Sequence, residues 1–270
     1  MSPAPLTGEF LLNALESGEA RAARRGEDGR WVVDPSVKEG ILEIFRVSPV
    51  VVQHNEVQPH DLAGVHLRSI PFRDKAQLPV RRFTEGSKVR LVPGGSSVRR
   101  GSHVGHAVVI MPPSYVNVGA FVGAESMIDS HVLVGSCAQI GQRVHLSAGA
   151  QIGGVLEPAN ARPVIVEDDA FIGGNCGLYE GVLVRRGAVL AAGVILTSGT
   201  VVYDLVNERE LRGTREAPLE IPERAVVVPG SRPVSSKWGK ERGLASACAL
   251  IVKYRDEKTD RATALEEALR

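Results

Sequence analysis

Residues 98–152 read VRRGSHVGHAVVIMPPSYVNVGAFVGAESMIDSHVLVGSCAQIGQRVHLSAGAQI. Every sixth residue from Val98 is aliphatic: Val98, Val104, Ile110, Val116, Val122, Ile128, Val134, Ile140, Leu146 and Ile152. With an aliphatic background of about one quarter, such a run arises by chance on the order of once in 100,000 sequences. Four residues after each comes a small or β-branched one, as in Ser102, Val108, Ser114, Ala120, Ser126, Val132, Ala138 and Val144. One residue after, Gly, Asn or Asp is common: Gly105, Asn117, Gly123, Asp129, Gly135, Gly141 and Gly153. The phase slips and resumes at Val166, Ile172, Leu178, Val184, Leu190, Leu196 and Val202, with an echo at Ile221 and Val227. A period of six is neither the 3.6 of a helix nor the 2 of a plain strand. It fits short strands joined by sharp corners, three of which close a triangular coil of about 18 residues. The aliphatic residue points inward, and the Gly, Asn or Asp beside it is expected to accommodate the corner backbone. Coils stacked at about 4.8 Å make a prism roughly 30 Å long.

Composition agrees. The 270 residues hold 43% apolar but only 4% aromatic residues, as a narrow aliphatic prism requires. Lys and Arg number 32 against 31 Asp and Glu, a net charge of +1, which argues against nucleic-acid binding through bulk charge. No apolar run reaches the roughly 18 residues of a membrane span, so no membrane partner is expected. Three scattered cysteines, Cys137, Cys176 and Cys248, suggest a reducing compartment and a cytoplasmic location, with Cys137 and Cys176 as core fillers.

The chain divides into an N-terminal α/β domain (1–88), the β-helix (89–233) and a small C-terminal strand-helix extension (234–270). In the first part, Leu11, Leu12, Ala14 and Leu15 predict a short helix. Asp34-Pro35 predicts a cap and first-turn proline, with Val37, Ile41, Ile44 and Phe45 following at helical spacing. The run Arg21–Arg25 reads as a solvated face. Two interruptions of the prism, 153–165 and 203–220, read as a lid and as a hairpin or loop. Residues 247–254 read as a strand, and Asp260 as the cap of a last helix carrying Ala264, Leu265, Ala268 and Leu269.

The repeat resembles that of the hexapeptide-repeat acyltransferases, whose coil is a left-handed parallel β-helix; the handedness comes from that resemblance. More specific strings resemble the tetrahydrodipicolinate N-succinyltransferase family over nearly the whole chain. They are Pro-Ser-Tyr-Val-Asn (113–117), Met-Ile-Asp (127–129), Val-Gly-Ser-Cys-Ala-Gln-Ile-Gly (134–141), Val-His-Leu-Ser (144–147) and Ile-Gly-Gly-Val-Leu-Glu-Pro (152–158). Ala-Leu-Glu-Ser-Gly (14–18) and Ala-Leu-Ile-Val-Lys (249–253) extend the match into the flanks.

The resemblance implies transfer of a succinyl group from succinyl-CoA, a co-substrate and not a bound cofactor, to the amino group of ring-opened tetrahydrodipicolinate. It also implies a homotrimer with sites between neighbouring prisms. Asp129 matches the family's functional aspartate, as base or as the group orienting the amine. Arg90 matches its substrate-binding arginine; a guanidinium fork suits a carboxylate. Backbone amides near Gly153 and Gly154 are candidates for oxyanion donors. The CoA arm is expected near Gly153, Gly154, Ala192 and Gly193, with Arg232, Lys237 and Lys240 on its phosphates. His145 is a candidate base by analogy with other hexapeptide acyltransferases.

The match fails in one coil. The family's arginine and glutamate fall on Asn175 and Gly177, and an aromatic falls on His131. That leaves the acid–base role to Asp129 alone or to Glu180, or signals a changed substrate. Acetyl-CoA-dependent relatives share Val-Glu-Asp-Asp (166–169) and the Leu-x-Glu-Gly pattern, so acetyl transfer to the same or a related amino dicarboxylate is the alternative. Two other classes use such a prism. One is a γ-carbonic-anhydrase-like zinc enzyme, for which His103, His106, His131 and His145 are present although no metal set is evident. The other is a non-catalytic scaffold.

Overall fold

The computed structural model describes residues 7–54, 71–214 and 217–256. Residues 98–196 coil as a left-handed parallel β-helix whose two-residue strands stack into three walls. The first wall holds Arg90–Leu91, Val109–Ile110, Met127–Ile128, His145–Leu146, Phe171–Ile172 and Val189–Leu190. The second holds Ser97–Val98, Tyr115–Val116, Leu133–Val134, Gln151–Ile152, Gly177–Leu178 and Ile195–Leu196. The third holds His103–Val104, Phe121–Val122, Gln139–Ile140, Ile165–Val166, Leu183–Val184 and Glu220–Ile221. Phe121 pairs with Gln139, one coil of eighteen residues on. Every aliphatic residue of the repeat, through Val202, Ile221 and Val227, is buried in one continuous column. Each contributes about 1.5–3 kcal/mol by leaving water.

The corners differ from the expectation. Positive φ falls three residues after the inward aliphatic residue, at Ala107, Glu125, His131, Cys137, Arg143, Asp169 and Asn175, and at Gly101, Gly119, Gly149, Gly187 and Gly193. The glycines one residue after have ordinary φ. They are glycine because the next coil lies against them. A Cβ on Gly123 would stand 2.4 Å from Gly141 O, and one on Gly135 2.2 Å from Gly154 N.

The flanking elements use the prism as a floor. Helix α1 (Gly8–Ser17) ends at Gly18, whose φ of 83° closes its last turn. Helix α2 (Pro35–Val47) starts on Asp34, whose carboxylate accepts Ser36 N–H at 3.0 Å. Leu11, Leu12, Leu15, Val37, Ile41 and Ile44 share a core with Val118 and Cys137, so the helices lie on the corner between the second and third walls. A short hairpin, Ala23–Arg25 with Trp31–Val33, covers the third wall through Ala23, Ile165 and Leu183. Here Arg21–Arg25 is not uniformly solvated. Ala22 and Ala23 are buried, and the Arg21 guanidinium lies 3.5 Å from the Phe121 ring centre and donates to Gln139 Oε1 at 2.9 Å. Burial, aided by Arg24, lowers its pKa to about 10. Arg24 and Arg25 are exposed. The wall supplies the ring and the amide that make the difference.

Ile165, read as part of the first interruption, already pairs with Gln139 and Leu183. The second interruption forms a hairpin, Val202–Asp204 with Arg209–Leu211. The C-terminal strand spans Ala245–Tyr254, two residues longer at its start than expected. The helix expected after Asp260 lies outside the described residues.

Candidate active site

The corner between the first and second walls carries Asp129. Its side chain is half-buried, Oδ1 accepts Ser130 N–H at 2.7 Å, and its carbonyl accepts the Ser114 hydroxyl at 2.7 Å. The buried Ser114 hydroxyl also accepts Val132 N–H at 3.2 Å, which ties this corner to the preceding coil. Oδ2 has no hydrogen-bond partner among the described residues, so a fixed carboxylate presents an open acceptor oxygen. Ser147, Gly173 and Ala191 follow in the same column, one per coil, with Ala192 and Gly193 at the last corner. Small side chains thus leave a shallow track that starts at Asp129.

His145 faces out of the first wall one coil beyond Met127 and packs on Phe171 with ring centres 4.9 Å apart. It is 9% exposed, an imidazole held in wall packing. Arg90 is exposed on the same wall, opposite Val109 and three coils before His145. Arg232, Lys237 and Lys240 lie on an arm. Strand Ala225–Pro233 pairs with the first wall at Val189 and Val226, then runs straight on where the earlier strands turn the corner. It continues antiparallel to Ala245–Tyr254, bringing Arg232 opposite Ser246. Lys237 and Lys240 are exposed on the short helix that follows.

The opposite edge of the second wall holds a cleft of about 1750 Å³, lined by Gly153, Gly154, Tyr179, Glu180, Trp31 and Arg162 among others. The loop after Gly154 forms one side, and the fully buried Lys38 of α2 holds it by donating to Ala161 O at 2.5 Å. Burial pulls the Lys38 pKa down, with Cys137 acting the other way. Arg162 donates to the carbonyls of Gly181 and Pro218 and to Glu220. Arg185 bridges Glu167 and Glu220. Glu180 accepts Ser198 N–H at 3.0 Å and the Ser198 hydroxyl.

Within one chain, then, the expected residues fall into two groups. Asp129, Ala192 and Gly193 share one corner, while Gly153, Gly154 and Glu180 share the next, a wall away. One expectation is corrected. Gly153 N–H donates to Leu178 O at 2.8 Å inside the ladder, so it is no oxyanion donor; Gly154 N–H has no such bond among the described residues. The histidines diverge. His103 stacks on Phe121 of the third wall, His106 sits near Glu125 on the third corner, His131 on the first corner and His145 on the first wall. Among the described residues no three His, Cys, Asp or Glu converge for a metal ion. Sequence reasoning missed Tyr179, whose ring occupies the space beside Gly177.

Residues 9–47 match the model of the tetrahydrodipicolinate N-succinyltransferase N-terminal region, and 163–198 match the hexapeptide repeat of succinyl-transferase. A 2,3,4,5-tetrahydropyridine-2,6-dicarboxylate N-succinyltransferase from Bradyrhizobium diazoefficiens is 43% identical over 261 residues, covering 96% of this chain and 88% of that one. The chain belongs to the tetrahydrodipicolinate N-succinyltransferase family. Its members from Nitrobacter hamburgensis (42% identical; 97% and 88% covered) and Bartonella bacilliformis (40%; 97% and 88%) carry the same name. The N-terminal family match coincides with α1, the first hairpin and α2. The repeat match covers the coils of Tyr179, Glu180, Ala192 and Gly193.

Proposed function

We infer that the chain is a CoA-dependent N-acyltransferase that moves a succinyl group from succinyl-CoA to the amino group of tetrahydrodipicolinate in its hydrated, ring-opened form, in diaminopimelate and lysine biosynthesis. The observation that carries this is 43% identity across 96% of the chain to a succinyltransferase of that name. In the reaction the amine nitrogen forms a bond to the thioester carbon, the C–S bond breaks, the nitrogen loses a proton and the CoA thiolate gains one. Asp129 Oδ2 takes the amine proton or holds the amine for attack. Arg90 pairs with a substrate carboxylate. The CoA arm follows the track past Ala192 and Gly193, toward Arg232, Lys237 and Lys240 on the projecting arm.

Three copies form a ring in this reading. Val109, Met127, Phe171 and Val189 turn outward on the first wall and remain partly exposed. A neighbour's second wall against them completes a closed heterologous trimer and faces its cleft toward Asp129. The location is cytoplasmic. Among the described residues no helix is long and apolar enough to cross a membrane.

The test is thiol release with tetrahydrodipicolinate and either succinyl-CoA or acetyl-CoA. Succinyl-CoA should be faster, and Asp129→Asn should lose about 10²- to 10⁴-fold. Equal or preferred use of acetyl-CoA overturns the donor. An unaffected Asp129→Asn overturns the site. The absence of an acidic side chain at Gly177 favours acetyl transfer as the second reading.

A further inference from the structure

Gly153 and Gly177 lie in adjacent coils of the second wall, and neither has a backbone conformation that calls for glycine. Both make room for one ring. A Cβ on Gly177 would stand 2.6 Å from Tyr179 Cε2 and 3.0 Å from its hydroxyl oxygen, and one on Gly153 would stand 2.8 Å from Tyr179 Cδ1. Ile195 Cδ1, 3.0 Å from the same Gly177 position, closes the third side. The ring is therefore seated along the outer face of the wall, at the edge of the 1750 Å³ cleft.

Its hydroxyl has no hydrogen-bond partner among the described residues. The half-buried ring is held on its faces while its O–H is left to meet a ligand in the cleft. The cleft's arginines are already taken up: Arg162 and Arg185 pair with Glu220, and Arg185 also with Glu167, while Glu180 accepts from Ser198. With Arg162 and Arg185 engaged by the protein's own carboxylates, the ring hydroxyl is a positioned neutral donor at the cleft edge. A neutral O–H suits a carboxylate, because hydrogen bonds to an ionised acceptor are the strong ones.

We propose that Tyr179 is a specificity-determining residue of the transfer site, its phenol O–H donating to a carboxylate of the dicarboxylate acceptor, with Gly153 and Gly177 kept bare to seat the ring. The proposal rests on the transferase reading above and adds a substrate contact to it. Tyr179→Phe keeps the ring and removes the donor. It should lower kcat/KM for the acceptor by about 10- to 100-fold while leaving the KM for the CoA thioester and the melting temperature unchanged. Gly177→Ala keeps the hydroxyl but displaces the ring, and should show the same acceptor defect.

Calorimetric titration with pyridine-2,6-dicarboxylate gives a readout that needs no turnover, and Tyr179→Phe should bind it at least about 10-fold more weakly than the unaltered protein. Equal affinity in the two proteins, or binding by neither, overturns the proposal, as does an unchanged acceptor kcat/KM. If the unaltered protein transfers no succinyl group yet binds the dicarboxylate through Tyr179, the transferase reading fails and the Tyr179 contact stands.

Discussion

Replacing Gly123 with alanine tests whether the repeat's glycines protect the spacing between coils. The new Cβ would lie 2.4 Å from Gly141 O, 2.5 Å from Gly141 C and 2.7 Å from Gln142 N, all backbone atoms. Ordinary contact begins near 3.4 Å, so the coil above must rise by about 1 Å. Two ladder bonds span that gap, Gly123 N–H to Ile140 O and Arg143 N–H to Ala124 O, both 2.9 Å. Stretching both past hydrogen-bond range costs about 1 kcal/mol each. Overpacking adds about 1–3 kcal/mol. The stiffer unfolded chain returns about 0.4–1 kcal/mol.

The net loss is about 3 kcal/mol, a fall in melting temperature of roughly 6–12 °C for a chain of this size. Gly193→Ala is the control. Gly193 has φ of 79° and nothing within 4 Å of the added carbon. Its cost is the left-handed backbone alone, about 1–2 kcal/mol less the same unfolded-state return. Its melting temperature should fall by about 2–4 °C. Calorimetry of both at one protein concentration is the assay. A Gly123→Ala protein melting within about 2 °C of the parent, or melting above Gly193→Ala, would refute the spacing argument.

Two further outcomes follow from buried charges. Burial alone would raise the Asp204 pKa, but hydrogen bonds from Asn207, Tyr254 and Arg209 outweigh it and hold it at about 2. Since the folded value lies below the unfolded one, the stabilisation is full above about pH 4 and is lost as pH falls through about 2. Discounted for solvent around the half-exposed Arg209, it is on the order of 1 kcal/mol, and urea titrations should show Asp204→Asn weaker at pH 7 by that amount, with the gap closing in acid. Lys38 is the opposite kind of group. Its folded pKa is lowered, so the unfolded chain binds more protons as pH approaches the ordinary 10.5, and stability contributed at this site rises there. The difference between the parent and Lys38→Met in denaturant midpoint should therefore grow in the parent's favour toward that pH. A flat difference would show that the ammonium is not desolvated. The Cys137 thiol, which burial pushes up to about 12, acts in the reverse direction and is coupled to Lys38, so both proteins carry Cys137→Ala in this comparison.

Much of the site's framework can be read from residue types, but their assignment to corners cannot. Asp129 and Glu180 look alike as acidic residues beside an inward aliphatic. Gln139 pairs with Ile165 twenty-six residues on, where the earlier coils take eighteen, and that excess shifts every later residue by part of a coil. Glu180 therefore joins the Gly153 corner and not that of Asp129. Arg21 reads as one of three closely spaced arginines until Phe121 and Gln139 are seen beneath it. Tyr179 carries no motif. Its meaning depends on bare positions twenty-six residues before and two residues before it, which only stacking brings under one ring.

The chain's own sequence determined the coil: a six-residue aliphatic period can bury its side chains only by turning three times per circuit, and the helix-start signal at Asp34-Pro35 depends on neighbours in the chain. The tertiary structure decided which bare positions separate coils, which amides the ladder consumes and which polar groups are left to meet a substrate. Those outcomes depend on contacts between residues one or more coils apart, and the distance of an atom in the next coil is not encoded in any local run of residues.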